Sequence, residues 1–205
     1  MSSTWRPGGP LNWSPMNLFD PTATARAALA GQTRLHLGCG KNVIAGWANV
    51  DAEAGPGVVT WDLRRPLPAD DASFDYVFSE HFIEHVTRDE ALRLLRECRR
   101  VLKPGGVLRT TTPDLRKLIS EYLAGRLDEW RDVAWLPESP CKLINEGMRS
   151  WGHQFVYDEP ELRALLAEAG FADVARVAWR ESSHEALRAL ECRPLHDEII
   201  VEARR

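Results

Sequence analysis

Gly38, Cys39 and Gly40 close an apolar run in "RLHLGCGKN", and a turn of that composition lets backbone approach a ligand with no side chain in the way. Acids end the next two apolar runs: Asp51, then Asp62 with Leu63 beside it. Further on, "SFDYVFSEHFIEHV" puts Ser79, Glu80 and His81 at another run's end, and "MRSWGHQFVY" supplies His153. Glycines that expose backbone, followed by carboxylates, suit a ligand carrying ribose hydroxyls and an amino group. Histidines suit proton transfer near neutral pH.

Two ligand classes use such a turn. A dinucleotide sets its pyrophosphate on the N-terminus of a real helix, with a third glycine in the turn and an acid about 20 residues later. This chain has G-x-G without the third glycine or the helix, and Asp51 comes too early. A ligand without phosphates needs only open backbone and an acid for two ribose hydroxyls. S-adenosylmethionine is such a ligand, with Asp51 for its ribose. Asp62 or neighbouring backbone would meet the adenine amino group while Leu63 packs on the ring. A lone G-x-G can also serve only its own turn.

These residues must be held by strands. Apolar-rich runs at 34–38, 47–51, 58–62, 74–79 and 106–111 read as strands, and further strands are expected at 171–180 and 197–203. A helix over about 21–30 is signalled by Asp20, Pro21 and Gly31. Thr87 and Glu90 form a capping box before Ala91, Leu94, Leu95, Cys98, Val101 and Leu102, and "KPGG" reads as that helix's stop. Two more helices are expected, one from Asp114 to Gly125 and one from Asp158 to Gly170. Strands alternating with helices argue for an α/β sheet with parallel core strands. Each link around Asp51 has only six residues, too few for a crossover helix. One flank of the sheet is therefore expected to be thinly covered, with residues 1–33 as the available covering material.

Taken together, "LHLGCG", "GWANVD", "PLPADDASFDYVFSEHFIEHV" and "LRECRRVLKPGGVLRTTTPDL" resemble the class I S-adenosylmethionine-dependent methyltransferase family over about residues 34–115, in the expected order. "GHQFVYDEPELRALLAEAGF", at 152–171, is similar to the helix before that family's final antiparallel hairpin. The resemblance implies a Rossmann-like open sheet of seven mostly parallel strands, in order 3-2-1-4-5-7-6 with strand 7 antiparallel. It also implies that Gly38, Cys39 and Gly40 approach the methionine part of S-adenosyl-L-methionine, that Asp51 holds the ribose, that Asp62 and Leu63 lie at adenine, and that Ser79 and Glu80 line the methionine side. His36 stands where the family often has an acid, and Asn42 where it often has a third glycine.

Methyl transfer mainly needs alignment and exclusion of water, but a hydroxyl or ammonium acceptor also needs a base. His81 and His153 are the catalytic candidates, facing each other across an acceptor cavity. His85, just before the Thr87 cap, reads as a structural hydrogen-bonder. His81 and His85 have a ligand-like spacing but no third ligand at recognisable spacing, so no metal is expected. Residues 126–152, with Trp130, Trp135 and Trp151, read as a substrate-covering insertion, or as core or a homodimer interface.

Composition sets bounds on partners. With 205 residues, 44% hydrophobic, one globular domain over 34–205 is expected behind the N-terminal segment 1–33. With a net charge of −4, no nucleic-acid partner is indicated, and Arg93, Arg96, Arg99, Arg100 and Lys103 read as a solvated helix face. Four scattered cysteines and no membrane-length apolar stretch point to a cytoplasmic protein without a membrane partner. The expected partner is a small-molecule methyl acceptor: a metabolite, a sugar or a natural-product intermediate. Another adenosyl-group transferase, a dehydrogenase or a non-catalytic binding module on the same fold are the competing functions.

Overall fold

The computed structural model describes residues 20–128, 135–193 and 197–205. Its strands are β1 (Arg34–Leu37), β2 (Ala48–Asp51), β3 (Val58–Thr60), β4 (Phe74–Glu80), β5 (Leu102–Thr112), β6 (Ala172–Arg176) and β7 (Ile199–Arg204). They form one sheet in the order β3-β2-β1-β4-β5-β7-β6. The first five run parallel, and β7 is antiparallel to both β5 and β6. This is the α/β, Rossmann-like arrangement implied by the sequence motifs. No helix among the described residues is long and apolar enough to cross a membrane.

The helices are α1 (Pro21–Leu29), α2 (Arg88–Val101), α3 (Leu115–Ala124), α4 (Pro140–Arg149) and α5 (Glu159–Glu168). All five start at a capping side chain; for α4 it is Ser139, which accepts from the Lys142 amide. Asp20, Thr87, Asp114 and Asp158 each accept a hydrogen bond from a first-turn amide, and at Thr87 the Glu90 carboxylate completes the box. Helix α2 stops just before "KPGG", as expected, but that stretch belongs to a strand. The helix ends at Val101, and Lys103–Gly106 lie inside β5 as a bulge between the pairs Phe74↔Leu102 and Tyr76↔Val107. A Cβ on Gly106 would stand 2.9 Å from the Lys103 carbonyl oxygen and 3.1 Å from that of Asp75, so this bend needs glycine.

The central strands are buried on both faces, as parallel strands between layers must be. Leu35, Leu37, Val50 and Val77 join α1, α2 and α5 in the main core, where Ala25 and Leu29 of α1 are buried. The other face carries a smaller cluster of Trp47, Phe78, Val107 and Leu187. So the face that short links leave without a crossover helix is covered by side chains of the 41–47 link and the 185–190 segment. The described part of the N-terminal segment, α1, packs on the main core instead; Trp5, Trp13 and Phe19 lie outside the described residues.

One buried side chain holds the 41–47 link in place. Asn49 Oδ1 accepts from the Ile44 amide at 2.9 Å, and Nδ2 donates to the Ile44 and Trp47 carbonyls at 3.0 and 2.9 Å. His36 Nδ1 lies 3.0 Å from the same Oδ1, so Nδ1 carries the proton. Burial holds the His36 pKa below the usual histidine value, which keeps the ring neutral. Asn49→Ala is expected to cost about 2–4 kcal/mol, since these four bonds contribute about 0.5–1.5 kcal/mol each. Urea unfolding checks it: the midpoint should fall with the slope unchanged, and an unmoved midpoint would show the link is held by other means.

Candidate active site

The parallel strands place their carboxyl ends along one edge, where open α/β sheets bind ligands. At the end of β1 the chain turns through Gly38 (φ +66°) and Gly40 (φ +50°), a conformation that costs glycine nothing. The Gly38 and Cys39 amides donate to the Val50 carbonyl at 2.9 and 3.2 Å. The Gly40 amide donates to Asp51 Oδ2 at 2.8 Å, and Asp51 Oδ1 accepts from the Glu53 amide at 2.9 Å. The glycine turn and the β2 acid are thus one unit, with the carboxylate's remaining lone pairs free to accept. Burial pushes the Cys39 thiol up to about 11, so it presents a neutral side chain.

This edge can be tested for a polar, phosphate-free ligand. A Cβ on Gly40 would meet nothing within 4 Å, so the turn opens outward. Ser79 Oγ, at the β4 end and paired in register with Leu37, is buried without a hydrogen-bond partner among the described residues, as is Asn42 Nδ2 beside the turn. Uncompensated polar atoms of this kind call for a hydrogen-bonding ligand. Both observations fit an amino-acid moiety over the glycines with its sugar at Asp51. Asp62 is already engaged: Arg64 donates to it through Nε at 2.9 Å and Nη2 at 2.8 Å, and that guanidinium holds the acid's pKa below the usual value. Leu63 is buried in the main core. Glu80 is buried too, and its carboxylate accepts from the Cys192 and Arg193 amides at 3.1 Å, anchoring that segment to the β4 end.

Next to this edge lies a cavity of about 260 Å³ lined by His81, Glu84, His85, Leu118, Trp135, Trp151, His153 and Arg193, among others. Gly38 joins the two regions, because a Cβ there would be 2.5 Å from the ring of Phe82, the residue after His81. His81 has φ +50° and Trp151 φ +58°, both in the left-handed region that non-glycine residues rarely adopt. Both line the cavity, as strained residues at functional sites often do. His81 Nδ1 lies 3.3 Å from Glu84 Oε1, and His81 Nε2 is buried with no hydrogen-bond partner among the described residues. His153 Nδ1 is 2.9 Å from the Gly147 carbonyl oxygen, so that nitrogen carries the proton and Nε2 keeps its lone pair. The Gln154 amide donates to the Glu84 carbonyl at 2.7 Å, which draws His153 against His85, with ring centroids 5.0 Å apart. Burial is the main cause that lowers the His85 pKa.

The structure therefore brings His81 and His153 to one cavity and adds residues the spacing did not single out. His85, read from sequence as structural, lines it as well. Glu84 is fully buried, with Oε2 accepting from Thr112 Oγ1 at 3.1 Å. A glutamate next to a histidine after an apolar strand was the available signal. Helix α4 was also missed, although Ser139 followed by Pro140 is an N-cap with proline at the first helical position. It packs on α3 through Leu118 and Leu143 and helps carry the wall formed by Trp135 and Trp151, whose rings meet edge to face at 5.0 Å. Trp130 lies outside the described residues.

Comparison with known proteins points one way. Residues 41–110 match the family model described as a methyltransferase domain. A ubiquinone biosynthesis O-methyltransferase of Caulobacter vibrioides is 27% identical over 172 residues, covering 73% of this chain and 63% of that protein. This chain thus spans under two thirds of that curated relative's length. Among solved structures, a SAM-dependent methyltransferase from Archaeoglobus fulgidus aligns with a TM-score of 0.50 at 17% identity, covering 90% of this chain and 94% of the other. An S-adenosylmethionine-dependent methyltransferase from Mesorhizobium loti aligns with a TM-score of 0.51 at 18% identity, covering 89% and 96%. At these identities the structural matches speak for the fold.

Proposed function

We propose that the chain is a class I S-adenosylmethionine-dependent methyltransferase, a reading supported by the methyltransferase-domain match over residues 41–110, and that it methylates an oxygen or nitrogen of a small molecule held in the cavity beside His81. The observation that carries this reading is the junction at Gly38. There the glycine turn tied to Asp51 abuts the segment that presents His81 and Glu84 to a cavity walled by tryptophans. When bound, S-adenosylmethionine supplies a methyl group on a sulfonium, open to in-line displacement. Gly38, Cys39 and Gly40 would hold its amino-acid end together with Ser79, Asp51 its ribose, and the backbone around Asp62 and Leu63 its adenine. Glu80 acts through the 192–193 segment it anchors, which sets Arg193 at the cavity wall. Trp135 and Trp151 exclude water and orient the acceptor. His81 takes the acceptor's proton at Nε2, with Nδ1 directed at Glu84, and His153 faces the same space. The O-methyltransferase relative favours a hydroxyl acceptor.

Calorimetry with S-adenosylmethionine, S-adenosylhomocysteine and NAD in parallel tests the cofactor. Both sulfur compounds should bind and NAD should not; the reverse pattern would overturn the reading. Asp51→Ala should weaken cofactor binding at least tenfold, because two charge-assisted hydrogen bonds to the ribose are worth about 1.5–3 kcal/mol each. An unchanged affinity in that variant would move the pocket elsewhere.

A further inference from the structure

We propose that Glu84, His85 and His153 form a binding site for a divalent transition metal ion, zinc being the best-suited, at the floor of the acceptor cavity. One ligand-capable atom from each of the three lies within 4.8 Å of the others. In a tetrahedral shell with bonds of about 2.1 Å, such atoms stand about 3.4 Å apart, so side-chain movements on the order of 1 Å close it. Two neutral imidazoles and a carboxylate are a donor set that borderline divalent metals favour over magnesium or calcium.

Independent features point to a cation here. Glu84 is fully buried, yet its Oε1 has no hydrogen-bond partner among the described residues; the nearest histidine nitrogens, His81 Nδ1 and His85 Nε2, stand 3.3 and 3.9 Å away without forming an aligned bond. A buried carboxylate oxygen left this way is costly, and a cation beside it would remove the cost. The rest of Glu84 is already oriented, since Oε2 accepts from Thr112. His153 has the outer contact usual for a metal-binding histidine: with Nδ1 donating to the Gly147 carbonyl, Nε2 is left as the coordinating atom. Near His81 and His85 in sequence there is no third ligand at recognisable spacing. Hydrogen bonds from Gln154 to the backbone of Glu84 and His85 bring the third one from about seventy positions away.

Three protein ligands leave a position open, and all three residues line the cavity. Its use by an acceptor oxygen rests on the methyl-transfer reading; binding of the metal does not. The test uses the full chain stripped with a chelator and titrated by calorimetry with Zn²⁺, and separately with Co²⁺ followed by visible absorption. One equivalent should bind, and Co²⁺ should show the absorption of a low-coordinate nitrogen and oxygen site. Glu84→Gln and His153→Ala should each weaken binding at least tenfold, whereas His184→Ala, whose ring rests on Tyr76, should bind like the parent. If Glu84→Gln does not fold, His85→Ala and the cobalt spectrum of the unaltered chain decide. No uptake of either ion, or uptake undiminished by the ligand substitutions, overturns the site. S-adenosylmethionine is titrated into the same preparations. Its binding without metal uptake removes the metal site alone, and metal uptake without its binding removes the methyl-transfer reading alone.

Discussion

Arg109→Met is expected to destabilise the folded chain by about 3–5 kcal/mol, the cost of breaking a buried ion pair from one side. Arg109 is fully buried in β5. Its Nε donates to Glu191 Oε1 at 2.6 Å, and Nη1 donates to Glu202 Oε1 at 2.7 Å and to the Glu181 carbonyl at 2.8 Å. Glu191 and Glu202 are themselves 2% and 7% exposed. Removing the guanidinium strands two carboxylates in a medium that solvates them poorly, and methionine fills the volume without answering either charge. A chemical unfolding curve reads the loss directly. Adding Glu191→Gln to Arg109→Met should recover part of it, giving a coupling energy of about 0.5–3 kcal/mol in a double-mutant cycle. A loss under about 1 kcal/mol in the single variant would mean that water reaches the triad. The effect should extend to the site. Arg109 ties β5 to the 181–191 segment, and Glu80 holds the next two amides, so the loosened stretch is the one that carries Arg193 to the cavity.

What the sequence revealed was mainly local. Asp20, Thr87, Asp114 and Asp158 announce helix starts because a short oxygen-bearing side chain satisfies an amide two or three positions on. The glycine turn is legible because an apolar run ending in G-x-G has few other backbone solutions. That α2 stops before "KPGG" was legible, but that this stretch lies inside β5 was not, for a physical reason. Proline and glycine forbid a helix equally well in a loop and in a bulge, and only the register between Phe74 and Tyr76 shows which one the chain chose. The acid–histidine cluster was half legible. His81 and His85 are visible as a pair, but Glu84 acquires meaning only from burial, and His153 only from the hydrogen bonds that dock residues 153–155 on the 84–85 turn. Arg109 was open to a closer reading: a charge within an otherwise apolar and threonine-rich strand must find buried partners. Which partners, at 191 and 202, no local pattern could say.

His81→Ala is expected to slow methyl transfer about 10²- to 10⁴-fold, the usual contribution of a positioned base, with cofactor affinity nearly unchanged. The geometry separates its role from that of its neighbours. His81 leaves β4 with φ +50°, its amide held by the Thr111 carbonyl at 3.1 Å, so the side chain is set by backbone that few residues adopt. One ring nitrogen stands 3.3 Å from Glu84 Oε1, and the other is buried without a hydrogen-bond partner among the described residues, so it is the one placed to take a proton. His153 instead directs Nδ1 at the Gly147 carbonyl and belongs to the proposed metal site. The two substitutions should therefore fail differently. His81→Ala should lose turnover while still taking up one equivalent of metal. His153→Ala should lose metal and turnover together, and excess Zn²⁺ should restore part of its rate. Single-turnover methylation across pH, run with a hydroxylated acceptor found by screening with labelled S-adenosylmethionine, measures both. If His81→Ala keeps the parent rate and pH profile, the proton leaves by another route. His81 would then be a structural residue, its strained backbone serving the β4 turn alone.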